Sequence, residues 1–337
     1  MAAPLATFEI GRPHLSWGLF AAALALALVA SPRRAACGAE GATAAEPAVE
    51  QLDLETTDGV RIAAWHYPVP AGTKAVATVI LVHDIEGSHN TVDQLARSLQ
   101  RAGCTVVAPD LRSHGASGAR GDGGPGPRSD PDPRLLKKHD LEMIAAAAGG
   151  RLREQSSVRG DIEAVRTWIK RHSDGSAIDI DRLCVVGSGL GGTLAAMWTV
   201  ADWNWQPTTT GPQGQQVRAL VLVSPVLATK GVSMTGPMAT EPFKRAVPVM
   251  VFAGSKDKDS VKLFDQFKRL RPREWLEQRA GQPPAKSPQV EELADASVFL
   301  VQFDTSLSAD KLIEDPAINA GEQLKAFFQL ALARKPR

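Results

Sequence analysis

The feature that most constrains this chain is a set of short, β-branched apolar runs that alternate with segments of helical spacing. The runs cover residues 76–82 (VATVILV), 105–109 (TVVAP), 182–186 (RLCVV), 218–223 (RALVLV), 247–252 (VPVMVF) and 297–303 (SVFLVQF). Runs of this length without apolar/polar alternation are the pattern of strands buried on both faces. Between them, Val92, Leu95, Ala96 and Leu99 recur at helical spacing, as do Ile162, Val165, Trp168 and Ile169, and residues 193–200 read as a helix. The chain closes with Leu324, Phe327, Phe328 and Ala331, one face of an amphipathic helix. Strands separated by helices fold as an α/β domain, a mostly parallel sheet with helices on both faces. One antiparallel hairpin precedes the cycle. Leu52, Leu54 and Thr56 alternate with polar residues, Asp58-Gly59 supplies the turn, and residues 60–67 return.

Of 337 residues, 44% are apolar and 22% charged, ordinary for a globular protein. The 38 basic and 37 acidic side chains nearly cancel. A nucleic-acid binder needs a basic excess or a clustered basic face, and neither is present.

The N-terminus differs. Arg12 precedes an unbroken apolar run over residues 17–30, which Pro32, Arg33 and Arg34 stop. At helical rise the run spans roughly 21 Å, short of a hydrocarbon core of about 30 Å. Small residues follow at Ala35, Ala36 and Gly38. The pattern is that of a secretory leader over residues 1–38, so the chain is expected to be exported, with no membrane span once the leader is removed. An uncleaved N-terminal membrane anchor is the alternative. Residues 39–50 read as a flexible linker, and residues 51–335 as a single domain. Two stretches break the cycle: about 117–156, rich in Gly, Pro, Asp and Arg, and about 228–245, a small insertion placed to cap a pocket.

Four motifs, in order, carry a resemblance. They are residues 79–84 (VILVHD), 106–117 (VVAPDLRSHGAS), 185–192 (VVGSGLGG) and 252–257 (FAGSKD). Over residues from about 50 to 335 the chain resembles the α/β-hydrolase superfamily, in its serine aminopeptidase and monoacylglycerol-lipase branch. The resemblance implies the α/β-hydrolase fold. It also places the strand holding Leu81 between those of Cys104 and Cys184, too far apart for a disulfide.

The site departs from the family. In the family pattern Gly-x-Ser-x-Gly the central serine is the nucleophile. Here the pentad is Gly187, Ser188, Gly189, Leu190, Gly191. Gly189 has no side chain to attack with. The family's histidine follows the last strand, but the seven histidines end at His172, and Ser308 stands at that position. A serine hydroxyl does not take a proton near neutral pH. The acid position is kept by Asp257, with Asp259 the nearby second choice. The oxyanion-hole positions fall on Leu190 and Ile85, and the family's common His-Gly is replaced by His83-Asp84. Two carboxylates there, Asp84 and Glu86, oppose the charge such a hole stabilises.

These residues point to a non-hydrolytic binding or scaffolding protein for a small-molecule ligand or a protein partner, with no cofactor. Two alternatives stay open. Ser188 could serve as a relocated nucleophile with His83 or His114 as base, giving an active ester or peptide hydrolase. Metal-assisted hydrolysis could use His83, Asp84, Glu86, His89, Asp110 and His114, which fall near two strand ends, although no pair has diagnostic spacing and no metal ligand is assigned. The glycines of 187–192 also match a dinucleotide fingerprint, but the next strand ends in Ser224-Pro225 rather than an acid. Trp198, Trp203 and Trp205 suit either a ligand platform or a wedge between helix and sheet.

Overall fold

A computed structural model describes residues 47–57, 59–85, 87–117, 160–205, 209, 213–229 and 232–334. The leader, most of the linker and nearly all of the 117–156 insertion therefore lie outside the described residues. Among the described residues no helix is long and apolar enough to cross a membrane.

Twelve strands are described: β1 Glu50–Glu55, β2 Arg61–Tyr67, β3 Thr78–Val82, β4 Thr105–Pro109, β5 Leu183–Ser188, β6 Val217–Val223, β7 Ala228–Thr229, β8 Val232–Ser233, β9 Val249–Gly254, β10 Trp275–Gln278, β11 Ala285–Lys286 and β12 Val298–Phe303. Ten of them form one sheet in the order β1-β2-β4-β3-β5-β6-β9-β12-β10-β11. The sheet is parallel from β4 to β10, and the β1–β2 hairpin joins antiparallel through β2 and β4. The helices are α1 Asp93–Arg101, α2 Asp161–His172, α3 Gly189–Trp203, α4 Thr235–Met238, α5 Lys258–Leu270, α6 Asp310–Ile313 and α7 Ala320–Ala333.

Continuous apolar strands serve two cores because successive side chains face opposite sides. Ile80, Val82, Val185, Leu220 and Val251 face a core with residues of α2, α3 and α5. Val79, Leu81, Cys184, Val221 and Phe252 face the other, with residues of α1 and α7. Every residue of β3, β4, β5 and β9 is buried. Cys104, directly before β4, and Cys184, in β5, are free and buried, and β3 lies between those two strands. Trp198 and Trp203 act as wedges: their ring N–H groups donate to Glu163 Oε2 at 3.2 Å and to the Val217 carbonyl at 3.1 Å.

Outside the 228–245 insertion, four of these elements were not foreseen from sequence: α5, β10, β11 and α6. The 228–245 insertion also differs from its expected role. It forms the β7–β8 ribbon, the short α4 and a following turn, and Val232, Met234, Met238 and Phe243 bury into the core beside α3. Arg271 fixes its end, donating to the carbonyls of Pro242, Phe243 and Val247 at 2.8–3.0 Å. None of its described residues lines the cleft described below. Its apolar side chains are spent on the core, so it does not cap the site.

Candidate functional site

The parallel pairings bring the C-terminal strand ends to one edge. Val82 stands opposite Gly187, Ser188 opposite Val223, Val223 opposite Phe252, and Gly254 opposite Phe303. In open α/β sheets this edge is where ligands bind. A cleft of about 550 Å³ opens there, and its walls include Asp84, Gly189, Asp257, Asp259 and Ser308. The three triad positions, read from separate parts of the sequence, thus line one cavity.

At its floor, β5 passes into α3 through a sharp turn. Gly189 takes φ +53°, the left-handed region that L side chains resist. Gly191 lies so close to the His83 carbonyl that a Cβ there would overlap it. The turn therefore has the tight packing of a nucleophile elbow. What stands above it is the carboxyl group of Asp84. A Cβ added to Gly189 would overlap the Asp84 carboxyl carbon and both its oxygens. Asp84 Oδ1 accepts the Leu190 N–H at 2.7 Å and the Ile85 N–H at 2.7 Å. Those are the two backbone donors at the positions matched to the oxyanion hole. They converge as such a hole requires, but on an internal carboxylate rather than on open space.

Asp84 is itself held from behind. Its N–H lies 3.1 and 3.3 Å from the two oxygens of Asp310, which also accept the Thr91 hydroxyl. Burial raises the Asp310 pKa and the neighbouring Asp84 charge adds to the rise, while the Ser188 and Thr91 hydroxyls and the Asp84 N–H oppose it. Sequence reasoning missed Asp310. It belongs to no family motif quoted above, and its role appears only when β12 brings it beside β3.

The other positions can now be placed. Asp257 caps α5, its Oδ1 accepting the Ser260 N–H at 3.0 Å and its Oδ2 the Ser260 hydroxyl at 2.7 Å. Both oxygens are occupied by the cap. Ser308 is exposed at the cleft wall. Ser188 is fully buried, and its Oγ lies near enough to Asp310 to favour ionisation of that acid while completing no hydrogen bond of normal geometry.

The relocated-nucleophile arrangement is corrected by these contacts. His83 Nε2 accepts the Leu111 N–H at 3.0 Å, and its Nδ1 meets the Asp84 carbonyl at 2.5 Å. Both nitrogens of His114 meet carbonyls, those of Arg112 and Ile85. Neither ring offers a nitrogen to Ser188. The metal arrangement fares similarly. Asp110 takes the backbone N–H of His89 at 2.6 Å and of Ala116 at 2.7 Å, and pairs with His89 Nδ1 at 3.1 Å. Among the described residues no three His, Cys, Asp or Glu side chains are grouped to hold a metal ion. Glu86 lies outside the described residues.

Burial, reinforced by the neighbouring His114, lowers the His83 pKa to about 4. The folded protein therefore binds this proton more weakly than the unfolded chain. The stability this ring contributes is complete above the ordinary value of 6.5 and is lost as pH falls towards 4, by up to roughly 3 kcal/mol. Imidazole nitrogen resonances should show His83 neutral at pH 5. A midpoint near 6.5 in the folded protein would contradict this.

Comparison with known proteins agrees with this fold. Residues 79–330, well over half of the chain, match the model of the alpha/beta hydrolase family. A thermostable carboxylesterase cloned from a metagenomic library is similar in structure, with TM-score 0.52 and 16% identity over 86% of this chain and 92% of that one. An esterase of Pyrobaculum calidifontis gives 0.51 and 16% over 84% of this chain and 86% of that one. An esterase of Pyrococcus furiosus gives 0.50 and 14% over 83% and 91%. At such identities these likenesses speak to the fold alone. No curated protein matches the sequence. With the family model spanning the four motifs, the parallel strands of the sheet and the turn at Gly189, the chain belongs to the alpha/beta hydrolase family.

Proposed function

We propose that this chain is a non-hydrolytic member of its family that binds a small molecule in the cleft above the strand ends. The observation that carries the reading is the Asp84 carboxylate, whose Oδ1 takes both backbone donors at 2.7 Å. Acyl transfer needs those donors free for a developing oxyanion, and losing even one costs such enzymes orders of magnitude in rate. It also needs a nucleophile and a base, whereas Gly189 and Ser308 stand at those positions. The surviving acid, Asp257, is engaged as a helix cap.

A fluorophosphonate probe and an aryl-ester assay on the full chain test the reading together. The expected outcome is no covalent labelling and no turnover above buffer. Labelling at Ser188, lost along with turnover in Ser188→Ala, would overturn it.

A further inference from the structure

We infer that the cleft selects a primary ammonium group on an apolar stem, in place of the acyl carbonyl or anion that two converging backbone donors would otherwise take. This rests on the proposed non-hydrolytic reading and specifies its ligand.

The argument begins at the floor. Asp84 Oδ1 is satisfied by two N–H groups, but among the described residues nothing donates to Oδ2. Asp84 lines the cleft, and its carboxyl fills the space that a side chain at Gly189 would take. A carboxylate oxygen accepts only, so a ligand group meeting it must donate. Ser224 also lines the cleft, in a left-handed conformation at φ +44°. Strained backbone held in a cleft wall is a common mark of a binding site. An ammonium donates hydrogen bonds and carries the charge opposite to that of Asp84, so it answers the open acceptor oxygen on both counts.

Charge at the rim does not reverse this polarity. Lys256 and Lys258 are exposed at the mouth beside Asp257 and Asp259, two of each sign, and the floor keeps the negative charge of Asp84. Pro225, Val226 and Leu307 give the walls an apolar stretch against which a short alkyl stem can lie. The volume, about 550 Å³, falls within the range of small-molecule sites.

Calorimetric titration of the full chain at pH 7 with hexylammonium, hexanoate and hexanol tests this directly. The three probes share a stem and differ at the head. Hexylammonium is expected to bind at least tenfold more tightly than either of the others. Asp84→Asn keeps an oxygen for the Leu190 and Ile85 donors and removes the charge, so it should cost at least tenfold in ammonium affinity. Should that variant fail to fold, Ser308→Arg at the exposed wall adds a positive charge to the cleft without touching Asp84 and must weaken hexylammonium binding. Absence of binding at millimolar concentration, equal or better binding of hexanoate, or indifference to these substitutions overturns the inference. Fluorophosphonate labelling of the same samples separates the two failures. A labelled serine sinks the non-hydrolytic reading, whereas an unlabelled protein without ammonium preference sinks only the choice of ligand.

Discussion

Gly189→Ser should destabilise the protein by about 2–5 kcal/mol, and adding Asp84→Gly should remove roughly half of that loss. Two costs act on the single variant. The backbone at φ +53° penalises any L side chain by about 1–2 kcal/mol. The new Cβ must also displace the Asp84 carboxyl, which is held by two backbone N–H groups and cannot swing aside without stranding them. Overpacking of this kind costs about 1–3 kcal/mol. Only the second cost depends on Asp84, which is why the two changes should couple. Urea unfolding of wild type, both single variants and the double variant measures the coupling. Additivity within about 0.5 kcal/mol would mean that Asp84 does not occupy the serine's place. The same geometry bears on any attempt to recover hydrolysis. Restoring the elbow serine and a histidine at position 308 leaves the backbone donors occupied, so the pair of changes without Asp84→Gly should remain inert.

Asp161→Ala should cost about 3–5 kcal/mol, the larger of the two losses. Arg112 and Asp161 form a buried pair, Nε to Oδ1 at 2.8 Å, with side chains 5% and 4% exposed. Asp161 Oδ2 also accepts the Arg112 backbone N–H at 2.7 Å. Removing the carboxylate takes from a buried guanidinium the acceptor at its Nε and from the Arg112 backbone N–H its partner, which is far more costly than losing an exposed pair. The contact joins the loop after β4 to the first turn of α2, where an acid also suits the helix dipole. Because that loop carries the His114 and Asp110 contacts that brace β3, the damage should reach the cleft. Thermal or urea unfolding reads the effect, and a loss under 1 kcal/mol would show the pair to be dispensable. Asp161→Asn, which keeps the acceptor oxygen, should cost less than the alanine.

Much of the fold was legible in the sequence because its strands are buried on both faces. Runs such as 79–82 and 218–223 have no polar face to confuse them with surface helices, and glycine or a polar turn ends each one. β10 was not legible for the opposite reason. Its Trp275-Leu276-Glu277-Gln278 lacks β-branched residues, and Glu277 is tolerated there because Lys268 pairs with it at 2.9 Å and Arg279 also contacts it. Those partners are known only after folding. α5 did carry a signal, with Asp257 as cap and Leu263, Phe264 and Phe267 at helical spacing. At the site, the missing nucleophile and base could be read from Gly189 and the absence of histidine beyond His172. That two carboxylates oppose the hole was readable as a charge argument from residues 83–86. That Asp84 enters the hole itself was not, since this depends on a side-chain direction fixed by the Leu190 N–H, 106 residues away, with Asp310 holding the Asp84 backbone N–H.

The order of strands also has a consequence for how the molecule is made. β3 and β5 pair with Thr78 opposite Leu183 and Val82 opposite Gly187, so the middle of the sheet joins segments about a hundred residues apart. Closing such a span adds little to the thermodynamic cost but lengthens the search, and parallel pairing offers no hairpin to begin from. On the ribosome the hairpin, β3 and β4 emerge well before their central neighbour exists. Until β5 is synthesised, one long edge of the growing sheet stays unpaired, and the nascent half must wait for its partner before it can close.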